Sequence, residues 1–222
     1  VRGLFVTGTD TGCGKTEISL GLMQWWQARG LRVAGMKPVA SGARESGAGL
    51  RNGDALRIQA QASGEPDYDL VNPCAFAAPI APHLAAQEAG RPISLEPILT
   101  AYRQLTDAAE RVVVEGVGGW RVPLGPGLEL PDLARALRLP VVLVVGLRLG
   151  CLNHALLSAE AIQKCGLPLY GWVGNQIEPR MRELAGNLGT LQEALGAPCL
   201  GWVPYLPRPD AARVAARLQL PD

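Results

Sequence analysis

Long apolar runs are missing from this sequence. The longest, Val141–Val145 extended through Gly146 to Leu147, is far too short to cross a bilayer. No basic, apolar leader opens the chain, so no secretory signal is expected. Surplus charge is missing too: Lys+Arg 21 against Asp+Glu 20 leaves +1. A nearly neutral protein has no global field to hold nucleic acid or an anionic membrane, so any anion must be caught locally. Histidine is scarce. His83 and His154 alone exclude a histidine-rich metal site. The five cysteines (Cys13, Cys74, Cys151, Cys165, Cys199) are odd in number, scattered and without C-x-x-C. They exclude a disulfide framework or a zinc site and fit a reduced, cytoplasmic chain. Lysine is also scarce: only Lys15, Lys37 and Lys164 stand among the arginines.

Apolar residues, by contrast, make up 48% of the 222 residues and charged residues 18%, enough for one sizeable domain with a real core. Gly 27 and Pro 18 are high but not periodic, which points to many tight connections. Short β-branched runs alternate with helical patterns. Strands are expected at Leu4–Thr7, Arg32–Val39, Val112–Glu115, Val141–Val145, Leu169–Gly174 and Leu200–Val203. Helices are expected at Lys15–Arg29, Asp54–Ala62, Leu95–Ala109, Asn153–Lys164, Arg182–Leu195 and Pro209–Leu218. This alternation predicts an α/β domain with a mostly parallel sheet. Gly42–Gly53 and Pro66–Pro92 read as long loops, which in a compact domain are often functional.

The clearest signal is Gly8-Thr9-Asp10-Thr11-Gly12-Cys13-Gly14-Lys15-Thr16. It follows an apolar strand and opens a helix, the context of a phosphate-binding loop. Glycines let successive N–H groups curl around an anion, and the helix start adds its dipole. Lys15 can reach β- and γ-phosphates, and Thr16 can offer its hydroxyl to Mg²⁺. Five residues, not the usual four, separate Gly8 from Gly14. Glu115 ends an apolar strand and is followed by Gly116, Gly118 and Gly119, an acid at the sheet edge where ligands sit in doubly wound folds.

Three other features read two ways. Asp54 is either a metal partner or the N-cap of the helix that follows. Lys37, closing the second strand in Met36-Lys37-Pro38, either stabilises charge beside the phosphate site or is a solvated strand end. Gly150-Cys151-Leu152-Asn153 either binds a carboxylate at a helix start or is a plain cap with Asn153 as the capping residue.

Together these segments resemble the dethiobiotin synthetases. The resemblance rests on Val6–Thr11, Gly14–Thr16, Ala34–Gly42, Gly49–Ala55, Val114–Trp120, Leu143–Gly146, Leu149–Ala155 and Gly171–Asn175, in order over nearly the whole chain. Val6–Thr11 is shared with cobyric and cobyrinic acid synthases; Lys37–Gly42 and Leu149–Ala155 are far more specific. The resemblance implies a single P-loop NTPase-like domain over residues 1–222, with helices on both faces of the sheet. It implies the ATP-dependent conversion of 7,8-diaminononanoate and CO₂ to dethiobiotin, ADP and phosphate. In that chemistry an amine captures CO₂ as a carbamate, the carbamate takes the γ-phosphoryl group, and the second amine closes the ring. Lys15 and Lys37 would be catalytic, and Thr16, Asp54 and Glu115 would hold Mg²⁺. Nucleotide contacts would come from Gly12, Cys13, Gly14, Lys15, Thr16, Glu17, Asp54, Glu115, Gly116, Val117 and Gly118, and around the base from Asn175, Gln176, Pro204, Tyr205 and Leu206. Substrate would meet Thr11, Lys37, Ser41, Gly150, Cys151 and Asn153. The resemblance further implies a homodimer with shared active sites, the Gly150–Asn153 turn coming from the other subunit.

Two other readings share parts of this pattern. Asn175-Gln176-Ile177-Glu178 faintly echoes a guanine-recognition motif, but it lacks the Lys and carries Glu in place of Asp, so ATP is favoured. Partitioning-type ATPases carry a signature Lys five residues before the P-loop Lys, where this chain has Asp10.

Overall fold

The most apolar stretches of the chain become the middle of one sheet. In the computed structural model, which describes residues 1–221, six strands line up: β1 (Gly3–Gly8), β2 (Val33–Met36), β3 (Arg111–Glu115), β4 (Val141–Leu147), β5 (Leu169–Gln176) and β6 (Cys199–Val203). Asp222, the last residue of the expected domain, lies outside the described residues. The order is β6-β5-β4-β1-β3-β2 and every neighbouring pair is parallel. A parallel sheet is covered on both faces, so its central strands are apolar at every position rather than at alternate ones. Every residue of β1 and β4 is buried accordingly.

Side chains alternate between two cores. Leu4, Val6, Val142 and Val144 face the helices α1 (Lys15–Gln27), α2 (Gly53–Gln61), α3 (Tyr68–Val71) and α9 (Ala211–Ala215). Phe5, Val141, Leu143 and Val145 face α4 (Pro82–Glu88), α5 (Leu95–Ala108), α6 (Leu130–Leu137), α7 (Cys151–Lys164) and α8 (Leu184–Ala194). Among the described residues no helix is long and apolar enough to cross a membrane.

Several local expectations are corrected. The strand expected over Arg32–Val39 runs from Val33 and stops at Met36, because Pro38 brings no N–H to extend the ladder. Lys37 N–H turns instead to the Val71 carbonyl at 2.8 Å, and its carbonyl accepts from Asn72 Nδ2 at 2.6 Å. Val39–Ala40 then pairs with Cys74–Ala75 in a separate two-stranded piece. The loop at Gly42–Gly53 holds a hairpin, Arg44–Ser46 against Gly49–Arg51, and Pro66–Pro92 holds α3 and α4. Helix α6 lies in a stretch with no element expected from the sequence; its Pro131 is tolerated in the first turn, and Glu129 and Asp132 close a capping box there. The last two helices are shorter than expected, at Leu184–Ala194 and Ala211–Ala215.

Candidate active site

The Gly8–Thr16 loop joins β1 to α1 at the C-terminal edge of the sheet, where parallel strands deliver ligand-binding loops. The first bond within α1 runs from Ile18 N–H to the Gly14 carbonyl at 3.1 Å. The N–H groups of Lys15, Thr16 and Glu17 therefore have no partner within the helix and form its anion-facing end. Gly14 caps α1 at φ 91°, and a Cβ there would fall 2.0 Å from Asn175 Nδ2. Both constraints require glycine.

The loop is braced from β4 and β5. Asn175, at the end of β5, donates Nδ2 to the Cys13 carbonyl at 2.9 Å. Gly146 N–H donates to Thr9 Oγ1 at 3.2 Å, and Arg148 pairs with Asp10 at 2.5 Å. Lys15 Nζ donates to the Asp10 carbonyl at 3.0 Å.

Opposite the loop, β3 ends in Glu115, whose side chain is only 1% exposed. Its Oε1 accepts from Thr16 Oγ1 at 2.9 Å and from Lys37 Nζ at 2.5 Å, while its buried Oε2 has no hydrogen-bond partner. Lys37 Nζ also lies 3.3 Å from Asp54 Oδ2. Burial opposes a charged ammonium at Lys37, but the Glu115 and Asp54 carboxylates outweigh it and hold its pKa above the ordinary lysine value. Lys37 is thus a charged, sequestered cation rather than a solvated strand end.

Asp54 is not the cap of α2. Asn52 caps it, its Oδ1 accepting from Asp54 N–H at 3.0 Å and Ala55 N–H at 3.2 Å. The Asp54 carboxylate is left free to face the site. Asn153 is likewise no cap: Gly150 caps α7 in the left-handed region, and Asn153 lies in the first turn.

These groups surround a cavity of about 790 Å³. It brings together Thr11, Gly12, Gly14, Lys15, Thr16, Glu17, Lys37, Ser41, Asp54, Glu115, Val117 and Gly118, all singled out from sequence. The buried Ser41 hydroxyl has no partner. Gly116 is buried behind the wall, and Cys13 is buried beneath the loop. Asn175 braces the loop from the side. Gln176, the last residue of β5, and Pro204, Tyr205 and Leu206, just after β6, do not line this cavity. Neither do Gly150, Cys151 and Asn153, at the start of α7; Cys151 is buried and Asn153 exposed. Sequence reasoning missed Asn52, Arg57 and Arg121, which also line the cavity. Arg57 stands three residues after Asp54, a spacing that puts both on one helix face and could have flagged it.

Known proteins bear on this geometry in three ways. A family model described as an AAA domain matches residues 2–213. Among solved structures, the cell division protein FtsY of Thermotoga maritima superposes with a TM-score of 0.53 at 14% identity, over 99% of this chain and 65% of its own. The 54 kDa signal recognition particle protein of Aeropyrum pernix gives 0.52 at 18% identity, over 96% of this chain and 46% of its own. Those likenesses concern the fold alone, and this chain spans only part of both longer proteins. Curated relatives match over nearly their whole length. The ATP-dependent dethiobiotin synthetase BioD of Xanthomonas euvesicatoria is 54% identical over 217 residues, covering 98% of this chain and 97% of the relative. The protein of the same name from Pseudomonas aeruginosa is 56% identical over 97% of this chain and 95% of the relative. With the braced phosphate loop and the Lys37–Glu115–Asp54 cluster in place, that full-length identity makes this chain a member of the ATP-dependent dethiobiotin synthetase family.

Proposed function

We propose that this chain, acting as one cytoplasmic domain over residues 1–222, uses ATP to carboxylate 7,8-diaminononanoate with CO₂ and close it to dethiobiotin, releasing ADP and phosphate. The observation that carries this reading is the cavity itself: a phosphate loop and two lysines face a carboxylate pair in one chamber. The free N–H groups at the start of α1 receive the phosphates, and Lys15 leaves the Asp10 carbonyl to neutralise them. A carbamate is a poor electrophile, and phosphorylation supplies its leaving group. Lys37, its own side chain sequestered, offsets the negative charge gathered between carbamate and γ-phosphate as a charge-stabilising donor. Thr11 and the unpartnered Ser41 hydroxyl, both on the cavity wall, hold the amine end.

The donor set fits Mg²⁺. The Thr16 hydroxyl, the Asp54 carboxylate and the unpartnered Glu115 Oε2 are hard oxygen ligands, and Mg²⁺ is commonly held by one or two carboxylates plus nucleotide phosphates. Bound there, Mg²⁺ would neutralise phosphate charge. The base would lie against Asn175, Gln176 and the Pro204–Leu206 turn.

The working unit proposed is a homodimer with shared sites. Gly150, Cys151 and Asn153 do not line their own chain's cavity, yet their helix start suits the distant carboxylate of an extended substrate. Leu149 beside them is fully exposed, and Leu156 and Leu157 on α7 are 39% and 58% exposed, an apolar face that a second copy would cover.

The test is purified protein with MgATP and bicarbonate. Diaminononanoate should stimulate ADP release and yield dethiobiotin. ADP release indifferent to diaminononanoate, or stimulated instead by DNA or a corrinoid, overturns the assignment.

A further inference from the structure

We propose that the Glu17–Arg57 ion pair is a positioning clasp that sets the separation between Thr16 and Asp54, and through it the affinity of the site for its divalent cation. The proposal rests on the reading of Thr16, Asp54 and Glu115 as metal donors. Glu17 follows Thr16 on α1, and Arg57 stands one turn beyond Asp54 on α2. Arg57 Nη1 donates to Glu17 Oε1 at 2.6 Å and Nη2 to Oε2 at 2.8 Å. Such a two-pronged fork fixes direction as well as distance, which a lysine could not do. Both side chains line the cavity wall.

The two helices are joined at their other ends by amides: Gln61 Nε2 donates to Gln24 Oε1 at 3.0 Å and to Gln27 Oε1 at 2.7 Å. Between these links Ala55 and Ile58 of α2 pack in the same core as Ile18 and Leu22 of α1. Without the clasp, α2 would still be docked through packing and through its cap Asn52, whose N–H donates to Tyr68 Oη at 2.7 Å and whose Nδ2 donates to the Ser41 carbonyl at 3.3 Å, but the Asp54 side chain would be held only by its contact with Lys37. That contact is weak bracing for a metal donor, because a divalent cation competes with the Lys37 ammonium for Asp54. Arg57 donates both nitrogens to Glu17, so its charge is committed to the clasp and not to the phosphates.

The probe is Mn²⁺, titrated by electron paramagnetic resonance into the protein–ADP complex, alongside the Mg²⁺ dependence of turnover. Arg57→Ala and Glu17→Ala should each weaken Mn²⁺ binding roughly tenfold, the lower end of what supporting contacts give a metal site. The double variant should be no worse than either single, because one clasp is removed once. Half-saturating Mg²⁺ should rise in step, with turnover of Arg57→Ala at saturating Mg²⁺ within about twofold of wild type. In EDTA, Arg57→Ala should keep its ADP affinity; weakened binding there would make the guanidinium a phosphate ligand and overturn the clasp. Mn²⁺ binding lost in Asp54→Asn but unchanged in Arg57→Ala overturns the clasp alone. Mn²⁺ binding unchanged in Asp54→Asn overturns the metal assignment and the clasp with it.

Discussion

Lys37 Nζ lies 2.5 Å from Glu115 Oε1, and the two side chains are 7% and 1% exposed. Removing Lys37 from so sequestered a pair would leave the Glu115 charge uncompensated, whereas Lys37 without Glu115 would keep only Asp54, at 3.3 Å. The carboxylate that Lys37 neutralises is also one assigned to the cation, so ammonium and metal meet on a single group.

Lys15→Ala and Lys37→Ala should both lose activity, for different reasons. In the role proposed for it Lys15 neutralises the phosphates, so its loss should weaken nucleotide binding as well as rate. In the role proposed for it Lys37 offsets the charge of the reacting group, so its loss should lower turnover by roughly 10²-fold or more while nucleotide affinity changes little. Binding and turnover measured separately decide this; wild-type turnover in Lys37→Ala sinks the catalytic role.

The Lys37 ammonium holds its proton more tightly in the folded protein than a free lysine does. Its contribution to stability is therefore complete below the ordinary lysine value of 10.5 and disappears as pH climbs through the higher folded value. Urea unfolding across alkaline pH should show this loss in wild type. The Lys37→Met/Glu115→Gln double variant, which carries neither charge, should lack that component. Parallel pH curves for the two proteins would mean the pair contributes nothing to folding.

Asp54→Asn and Glu115→Gln should each raise the Mg²⁺ concentration needed for half-maximal rate, because each removes ligand charge from a hard cation. Glu115→Gln should also lower turnover at saturating Mg²⁺, since Lys37 loses its closest anchor. If neither titration moves, the two carboxylates serve Lys37 and not a metal.

Mixing Lys37→Ala protein with a variant inactivated at the Gly150–Asn153 turn tests the shared site. Each heterodimer then holds one intact site and one doubly damaged site. Random exchange puts about half the dimers in that class, so activity should recover to about a quarter of wild type. No recovery despite demonstrated heterodimers would mean that each site is built within one chain.

Chemistry was legible in the sequence wherever a short segment carries its own geometry. The run from Gly8 to Thr16 states strand, turn and helix together, and the β-branched runs of β3 and β4 state burial on both faces. What escaped was settled by neighbours distant in sequence. Asp54 and Asn52 are both good caps, and only the folded turn shows that Asn52 takes the role. The end of β2 depends on Val71 and Asn72, far along the chain, which take over the hydrogen bonds of Lys37. Arg57 looks like one more surface arginine until Glu17, 40 positions away, is set against it.

The bracing of the phosphate loop has an entropic consequence. A Cβ at Gly8 would strike Cys13 Sγ at 2.3 Å, one at Gly14 would strike Asn175, and the Cys13 carbonyl and Thr9 hydroxyl are already engaged. A loop pinned at both ends in this way needs little ordering to receive an anion. Ordering a floppy segment discounts the affinity of many binding sites, and here that discount is small because folding has already met it. The same fullness makes the loop intolerant of drift: a single methyl group at position 8 or 14 would have to displace the very atoms that hold the mould in shape.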